Sequence, residues 1–320
     1  MKSLLPLAIL VVLIAAIHLA LPMGSLVELH RRDTALATLL LTEIRLPRTL
    51  LALGYGAALG MTGAALQALF ANPLASPDIT GSSSGAALGA VLGGYFLSVT
   101  NPIALAGFGA AGAGIALLAM LALAGRRAET ATLLLAGLAI ALACGAATSL
   151  MLALAPSPFA FYDSFDWLMG SFVDRSLPQA AAALIPAVVA LLFLARLAKP
   201  LDILALGEDV AASLGYRPER LGVQVVALTA VAVGACVSVC GAIGFVGLIA
   251  PFAARRLSAG HPGRAMLPAA LIGAVLLLLA DLAVRLGPAG RIIPVGVITT
   301  AVGTPLFIWM VVGMRRRLTS

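Results

Sequence analysis

The segment 81–85 (Gly-Ser-Ser-Ser-Gly) matches the nucleophile elbow, in which a serine attacks an acyl group. A nucleophilic serine also needs a neighbouring base. The three histidines, His18, His30 and His261, lie in other parts of the chain, and none is an obvious partner for the serines. Serine is also a good helix cap, and glycine allows helices to pack closely. We therefore interpret the segment as the start of a packed helix, with an intramembrane serine hydrolase as an alternative.

The sequence lacks the residue patterns that ATP hydrolysis and metal binding require. A phosphate-binding loop needs a lysine that follows a glycine and precedes serine or threonine. The two lysines, Lys2 and Lys199, do not follow glycine, so ATP hydrolysis by this chain is excluded. Cys236 and Cys240 lie one helical turn apart and could suit a soft metal, but no third ligand is visible nearby. We expect no catalytic residue, no metal site and no cofactor.

One carboxylate lies near the end of an apolar segment. Asp281 and Arg285 are spaced four residues apart, so they predict a local ion pair that reduces the cost of charge at a membrane edge. Charged residues are otherwise nearly absent from the apolar segments. Carriers driven by protons or sodium ions usually keep a carboxylate within the membrane. This pattern argues against a secondary transporter, which we retain as a second hypothesis.

The elements that carry these residues belong to a membrane protein. Of the 320 residues, 62% are hydrophobic and 10% are charged, with a mean hydropathy of +1.10. A soluble domain could not bury so much apolar surface. Because a bilayer core needs about 20 apolar residues per helix, we predict an all-α membrane protein with about ten transmembrane helices, forming a single domain over 1–320. The predicted spans are 4–23, 47–69, 81–99, 102–124, 131–154, 178–198, 221–240, 243–257, 266–286 and 294–313.

The distribution of positive charge predicts the orientation. The net charge is +7, but the arginines lie between hydrophobic segments, which argues against a nucleic-acid partner. Most of the lysines and arginines fall in loops on the side of the two termini, among them Arg196, Lys199, Arg217 and Arg220. Since short cytoplasmic loops are enriched in these residues, we predict that both termini are cytoplasmic. The first apolar segment is too long for an ordinary signal peptide, so we expect it to remain as a span.

One connection between spans is amphipathic. Leu206, Val210 and Leu214 repeat at helical spacing, Glu208 and Asp209 lie in the first turn, and Gly215 is placed to end the helix. The pattern predicts a short helix over about 204–215. Such a helix rests on lipid headgroups or fits its apolar face into the groove of a cytoplasmic partner.

Small residues suggest how helices associate. Gly56 and Gly60 are spaced four residues apart in the second span, and Gly63 follows on a nearby face. Paired glycines allow two helix backbones to approach. We therefore expect these glycines to form a packing face, and we predict that the chain dimerises through small-residue faces of this kind.

Five stretches of the chain resemble the FecCD-type, or BtuC-like, permeases of bacterial ABC importers for iron-siderophores, haem and cobalamin. Together they cover nearly the whole chain in the order that the family has. They are Arg-Leu-Pro-Arg at 45–48, Gly-Ala-Ala-Leu-Gln at 63–67 with Asn-Pro-Leu-Ala at 72–75, Leu-Ala-Leu-Gly-Glu at 204–208, Gly-Ala-Ile-Gly-Phe-Val-Gly-Leu-Ile-Ala-Pro at 241–251, and Pro-Val-Gly-Val-Ile at 294–298 with Gly-Thr-Pro at 303–305.

The resemblance implies a multi-pass permease of the bacterial inner membrane that has no enzymatic activity of its own. It implies two permease copies, two separate ATPase subunits, and a periplasmic binding protein that delivers a metal chelate. An iron-siderophore is the expected cargo, with haem or cobalamin as alternatives, and transport would proceed by alternating access.

The resemblance also assigns roles to particular residues. Three groups are implied: a coupling helix that contacts the ATPase, arginines that dock the binding protein, and a cytoplasmic gate. Ala131 departs from the polar residue of the family's gate, so an apolar closing contact is expected there. The coupling residues are Leu204, Leu206, Gly207, Glu208, Val210, Leu214 and Gly215; the docking residues are Arg45, Arg48 and Arg285; the gate residues are Asn72, Leu74, Thr130 and Ala131.

Overall fold

The computed structural model describes residues 4–21, 28, 31–125, 129–154, 167–287 and 293–318. Within these ranges the regular structure is helical and contains no strand, which confirms the all-α prediction. The principal helices are numbered here in chain order. They are α1 (Leu4–Ala20), α2 (Thr34–Leu39), α3 (Leu46–Leu69), α4 (Ser82–Val91), α5 (Pro102–Ala124), α6 (Thr130–Ala153), α7 (Leu177–Arg196), α8 (Ala198–Leu204), α9 (Glu208–Ser213), α10 (Pro218–Cys240), α11 (Val246–Leu257), α12 (Pro262–Arg285) and α13 (Val295–Leu318).

The helix lengths agree with the predicted spans. Among the described residues, six helices are long and apolar enough to cross a membrane: α3 with the α2 segment before it, α5, α6, α7, α10 and α12. The other four predicted spans are occupied by the apolar helices α1, α11 and α13, and by α4 together with the π-helical turn that follows it. Each of the ten predicted spans therefore coincides with a helix. Residue 23, the predicted end of the first span, lies outside the described residues.

Helices α3 and α12 form the centre of the bundle and run in opposite directions. Their backbones approach so closely that a Cβ atom on Gly56 would collide with Gly273, and one on Gly60 would collide with Ala269. Gly63 makes the same kind of approach to Gly247 of α11. Only glycine permits backbones to lie this close together. Since all three contacts are between helices of the same chain, the three glycines pack the bundle internally. The expectation that this face joins two copies is wrong.

A non-helical segment separates α10 from α11. Gly241 has a φ of 75°, Phe245 has a φ of 67°, and the hydroxyl of Tyr55 donates a 3.2 Å hydrogen bond to the carbonyl of Gly241. Non-helical backbone at membrane depth is tolerated where protein encloses it. The interruption explains why α11 has only 12 residues, as the short eighth span predicted.

The amphipathic connection is divided into two helices. α8 ends at Leu204, and α9 begins at Glu208 after a turn in which Gly207 has a φ of 118°. The single helix predicted over 204–215 is therefore wrong in its extent. A φ of 118° does not fit a continuous α-helix, and it is a conformation that residues other than glycine rarely adopt. Gly215 ends α9 as predicted, since its N–H bonds to the carbonyl of Ala212 at 3.0 Å while its φ is 86°.

Candidate functional site

Two groups of polar residues lie at opposite ends of the α3–α12 pair. The end of the pair at which α3 begins is called the arginine end. The opposite end, at which α12 begins, is called the loop end. The group at the arginine end, which we call the arginine cluster, combines residues of α1, the start of α3 and the last turns of α12. Its members are His18, Arg45, Arg48, Thr49, Asp281 and Arg285.

Asp281 is the centre of the arginine cluster. Arg48 binds it through two hydrogen bonds, from Nε to Oδ2 at 2.8 Å and from Nη2 to Oδ1 at 2.9 Å. Arg285 donates from Nε to Oδ2 at 3.1 Å, and Nε2 of His18 lies 2.8 Å from the same oxygen. The Asp281 side chain is 1% exposed. A buried carboxylate therefore holds two guanidinium groups in a fixed geometry, as bidentate pairing permits.

The last turn of α1 supplies further acceptors. Arg285 Nη1 donates to the His18 carbonyl at 2.8 Å, and Arg45 Nη1 donates to the carbonyls of Ala20 and Leu19 at 2.8 and 3.2 Å. The final carbonyls of a helix have no partner within the helix and carry partial negative charge. The two arginines thus cap α1 and fasten it to α3 and α12.

The three predicted docking arginines are brought together, but they are less exposed than expected. Arg45 is 6% exposed, and the side chains of Arg48 and Arg285 are 15% and 11% exposed. They do not project freely into water, because the carboxylate and the α1 carbonyls hold them against the bundle. The Asp281–Arg285 ion pair expected from their spacing is present at 3.1 Å.

Sequence reasoning missed His18 and Thr49. Both are buried, and they lie 2.8 Å apart between Nδ1 and Oγ1. A lone histidine within an apolar run was the available signal, because a buried imidazole needs hydrogen-bond partners.

At the loop end, the connection carrying α8 and α9 contacts two membrane helices. Thr130, the first residue of α6, donates a 2.6 Å hydrogen bond from Oγ1 to a carboxylate oxygen of Glu208, the first residue of α9. Asp202 of α8 accepts a 2.7 Å hydrogen bond from the N–H of Gly263 in the first turn of α12. These bonds tie the connection to α6 and α12.

The apolar face predicted for this connection is partly exposed. Leu206, Val210 and Leu214 are 68%, 40% and 59% exposed, whereas Ala211 is fully buried against the bundle. Leu204, which the resemblance assigns to the coupling helix, is buried and is the last residue of α8. The three exposed side chains form an apolar surface at the loop end.

The predicted gate residues occupy two segments near the loop end. After α3, Asn72 accepts a 2.9 Å hydrogen bond from the N–H of Leu74 through its side chain, and Leu74 is exposed. On α6, Thr130 is half-buried and Ala131 is exposed. The two segments therefore present Leu74 and Ala131 on the surface of the single chain.

The serine-rich segment is a helix start. Ser82 begins α4 after Gly81, whose φ is 75°, and Ser82 and Ser83 are buried. Of the described histidines, His18 belongs to the arginine cluster and His261 lies near the carbonyl of Ala259. Neither supplies a base to the serines.

No group of three or more potential metal ligands occurs in the described part of the chain. His30 and Lys2 lie outside the described residues.

Comparisons with known proteins agree over most of the chain. The model of the FecCD transport family matches residues 4–313. The vitamin B12 import system permease protein BtuC of Citrobacter koseri is 40% identical over 287 residues, covering 88% of this chain and 86% of that one. The corresponding protein of Salmonella typhimurium is 39% identical with the same coverage. A solved transporter assigned to the metal-chelate type of ABC transporters, in an inward-facing conformation, has a TM-score of 0.85 and 30% identity, covering 97% of this chain and 98% of the other.

Proposed function

This chain belongs to the FecCD transport family and is a permease subunit of an ABC importer, and from that premise we propose that it carries a metal chelate across the bacterial inner membrane by alternating access. The family match over residues 4–313 is the observation that carries the proposal. The permease makes and breaks no bond in its cargo, since ATP hydrolysis resides in a separate subunit.

For the cargo, the comparisons favour cobalamin over the iron-siderophore expected from the sequence. Two relatives at about 40% identity are named as vitamin B12 permeases. Cobalamin is itself a metal chelate, so the structural match to a metal-chelate transporter is compatible with both cargoes. An iron-siderophore is the second candidate, and haem is a third.

The assembly that we propose contains two copies of this chain, two ATPase subunits and a periplasmic binding protein. The loop end faces the cytoplasm, together with both termini. Its exposed apolar surface of Leu206, Val210 and Leu214 would fit a groove on the ATPase. Asn72, Leu74, Thr130 and Ala131 would narrow the pathway between the two copies on this side.

The arginine end faces the periplasm in this assembly and receives acidic residues of the binding protein. Arg48 and Arg285 share the single carboxylate of Asp281, so these three side chains together carry one positive charge in excess. Excess charge in a partly buried site is unfavourable unless a partner compensates it. A surface that presents carboxylates would supply that compensation.

Uptake into proteoliposomes tests the proposal. The chain would be reconstituted with its ATPase and binding proteins, and the accumulation of labelled cyanocobalamin would be compared with that of a ferric siderophore and of haem. We expect ATP-dependent accumulation of cobalamin that vanadate abolishes and that an uncoupler spares. Accumulation of the siderophore alone would reverse the choice of cargo, and uptake driven by an ion gradient without ATP would contradict the mechanism.

A further inference from the structure

We propose that His18, Thr49 and Asp281 are positioning residues that hold Arg48 and Arg285 in the orientation that an acidic partner binds. The inference rests on the proposed docking of the binding protein at the arginine end. Asp281 makes the direct contacts, and His18 and Thr49 act through Asp281 and Arg285.

The hydrogen bonds of His18 determine which of its nitrogens carries the proton. Nε2 lies 2.8 Å from a carboxylate oxygen of Asp281, so it must donate. Nδ1 lies 3.3 Å from Nη2 of Arg285, which can only donate, and therefore Nδ1 must accept. A doubly protonated ring would place two N–H groups against each other at this contact. The geometry thus specifies a neutral imidazole that is protonated on Nε2.

Thr49 lies against the other side of Nδ1 and is compatible with this tautomer. Its Oγ1 lies 2.8 Å from Nδ1 of His18 and 2.8 Å from the carbonyl of Arg45. The hydroxyl proton can point to either acceptor, and Arg285 provides the second donor to Nδ1. His18 thereby connects the carboxylate of Asp281 to Arg285 and to α3 through its two ring nitrogens.

The network saturates Asp281. Its Oδ2 accepts from His18, Arg48 and Arg285, and its Oδ1 accepts from Arg48. A carboxylate with this many partners in a buried site has one orientation. Since Arg48 contacts it in a bidentate manner, the plane of the Arg48 guanidinium is fixed as well.

One guanidinium nitrogen of Arg48, Nη1, is left for a partner. Asp281 occupies Nε and Nη2, and among the described residues Nη1 has no hydrogen-bond partner, while 15% of the side chain is exposed. An arginine that is already oriented loses little side-chain entropy when it binds a second carboxylate. The buried network therefore lowers the entropic cost of docking, and its main effect is on the lifetime of the complex.

Binding kinetics of the permease in nanodiscs test the inference. The probe is the purified binding protein, and the variants are His18→Phe, which removes both ring nitrogens, and His18→Gln, which retains one donor and one acceptor. We expect His18→Phe to raise the dissociation rate about tenfold, as for the loss of one hydrogen bond to a charged group. Its association rate and salt dependence should match wild type because all charges remain. His18→Gln should restore most of the lifetime.

Two further measurements keep the outcome decisive. Thr49→Val removes only the hydroxyl next to Nδ1 and should raise the dissociation rate by about threefold, so it replaces His18→Phe if that variant does not fold. The thermal unfolding midpoint of each variant is measured as well, so that a loss of folding is distinguished from a loss of positioning. A wild-type dissociation rate in His18→Phe, or an equal defect in His18→Gln, would overturn the positioning role. Failure of the wild-type permease to bind any binding protein would instead overturn the proposed docking.

Discussion

Thr130 and Glu208 are joined by a 2.6 Å hydrogen bond between hydroxyl and carboxylate, although 78 positions separate them in the sequence. The bond links the first residue of α6, at the proposed gate, to the first residue of α9, at the proposed contact with the ATPase. A movement of α9 would therefore act on the end of α6 through this bond.

Replacement of Thr130 by valine tests this link. The variant keeps the shape of the side chain but cannot donate to Glu208, so we expect two- to fivefold less cargo transported per ATP hydrolysed, as for the loss of a partly exposed hydrogen bond. The ratio of uptake to phosphate release in proteoliposomes measures it. Thr132→Val is the matched control, because Thr132 is an exposed residue on the same helix. An unchanged ratio in Thr130→Val would show that the bond does not contribute to coupling.

The apolar surface at the loop end gives a second prediction. Leu206→Asp places a charge on the face proposed to enter the ATPase groove, so ATPase binding should weaken by at least tenfold while the chain still inserts. Co-purification of the ATPase subunit measures the effect. Ala212→Asp introduces the same charge on the flank of α9 opposite Val210, where we expect a smaller loss. Equal losses in the two variants would argue against a specific apolar face.

The backbone of the turn before α9 gives a third prediction. Gly207 has a φ of 118°, which an alanine rarely adopts, although nothing lies within 4 Å of its position. Gly207→Ala should therefore shift α9 and reduce uptake through conformation alone, at a cost of about 1–3 kcal/mol for the strained geometry. Gly145→Ala is the control, since this helical glycine also has open space around it and no positive φ. Wild-type uptake in Gly207→Ala would mean that the turn can relax without moving the contact surface.

The packing of α3 on α12 gives a fourth prediction. An alanine at position 60 would press against the Ala269 carbonyl, so Gly60→Ala should destabilise the folded chain by about 2 kcal/mol. Thermal unfolding of the chain in detergent should show a lower midpoint, and the defect should not depend on protein concentration because the contact is intramolecular. Gly107→Ala, in open space on α5, should leave the midpoint unchanged. A defect that disappears at high concentration would restore the interpretation of this face as a dimer interface.

Charge reversal at the arginine end gives the fifth prediction. Arg48→Glu replaces a donor to Asp281 by a second carboxylate, which both repels Asp281 and opposes an acidic partner. We expect the association rate of the binding protein to fall by roughly tenfold at low salt and the difference to shrink as salt is added. Arg32→Glu is the control, because the Arg32 side chain is 76% exposed and pairs with Glu28. Equal effects of both substitutions would indicate general electrostatic attraction and not docking at the arginine cluster.

The sequence predicted the helices well because the membrane imposes long apolar segments. It did not predict that Arg48 is largely buried against Asp281. The partners of Asp281 come from three helices, and one of them, His18, lies 263 positions from it in the sequence. No local pattern reports such a contact.

The spacing of the glycines also predicted only part of the packing. The interval between Gly56 and Gly60 predicts a close helix contact, but it does not identify whether the partner helix belongs to the same chain. The division between α8 and α9 depended on the conformation of Gly207, and an amphipathic pattern continues across such a turn without change.

The hydrogen bonds at the two ends of α12 have a mechanical consequence. Gly263 is bonded to Asp202 at one end, and Asp281 and Arg285 are bonded to α1 and α3 at the other. A helix of 24 residues is about 36 Å long, so a tilt of about 5° around its middle would move each end by about 1.5 Å in opposite directions. A hydrogen bond of 2.7 Å does not survive such a displacement unless its partner moves too. A rigid tilt of α12 about its middle would therefore require Asp202 to move in one direction and the groups bonded to Asp281 and Arg285 to move in the opposite direction by a similar distance.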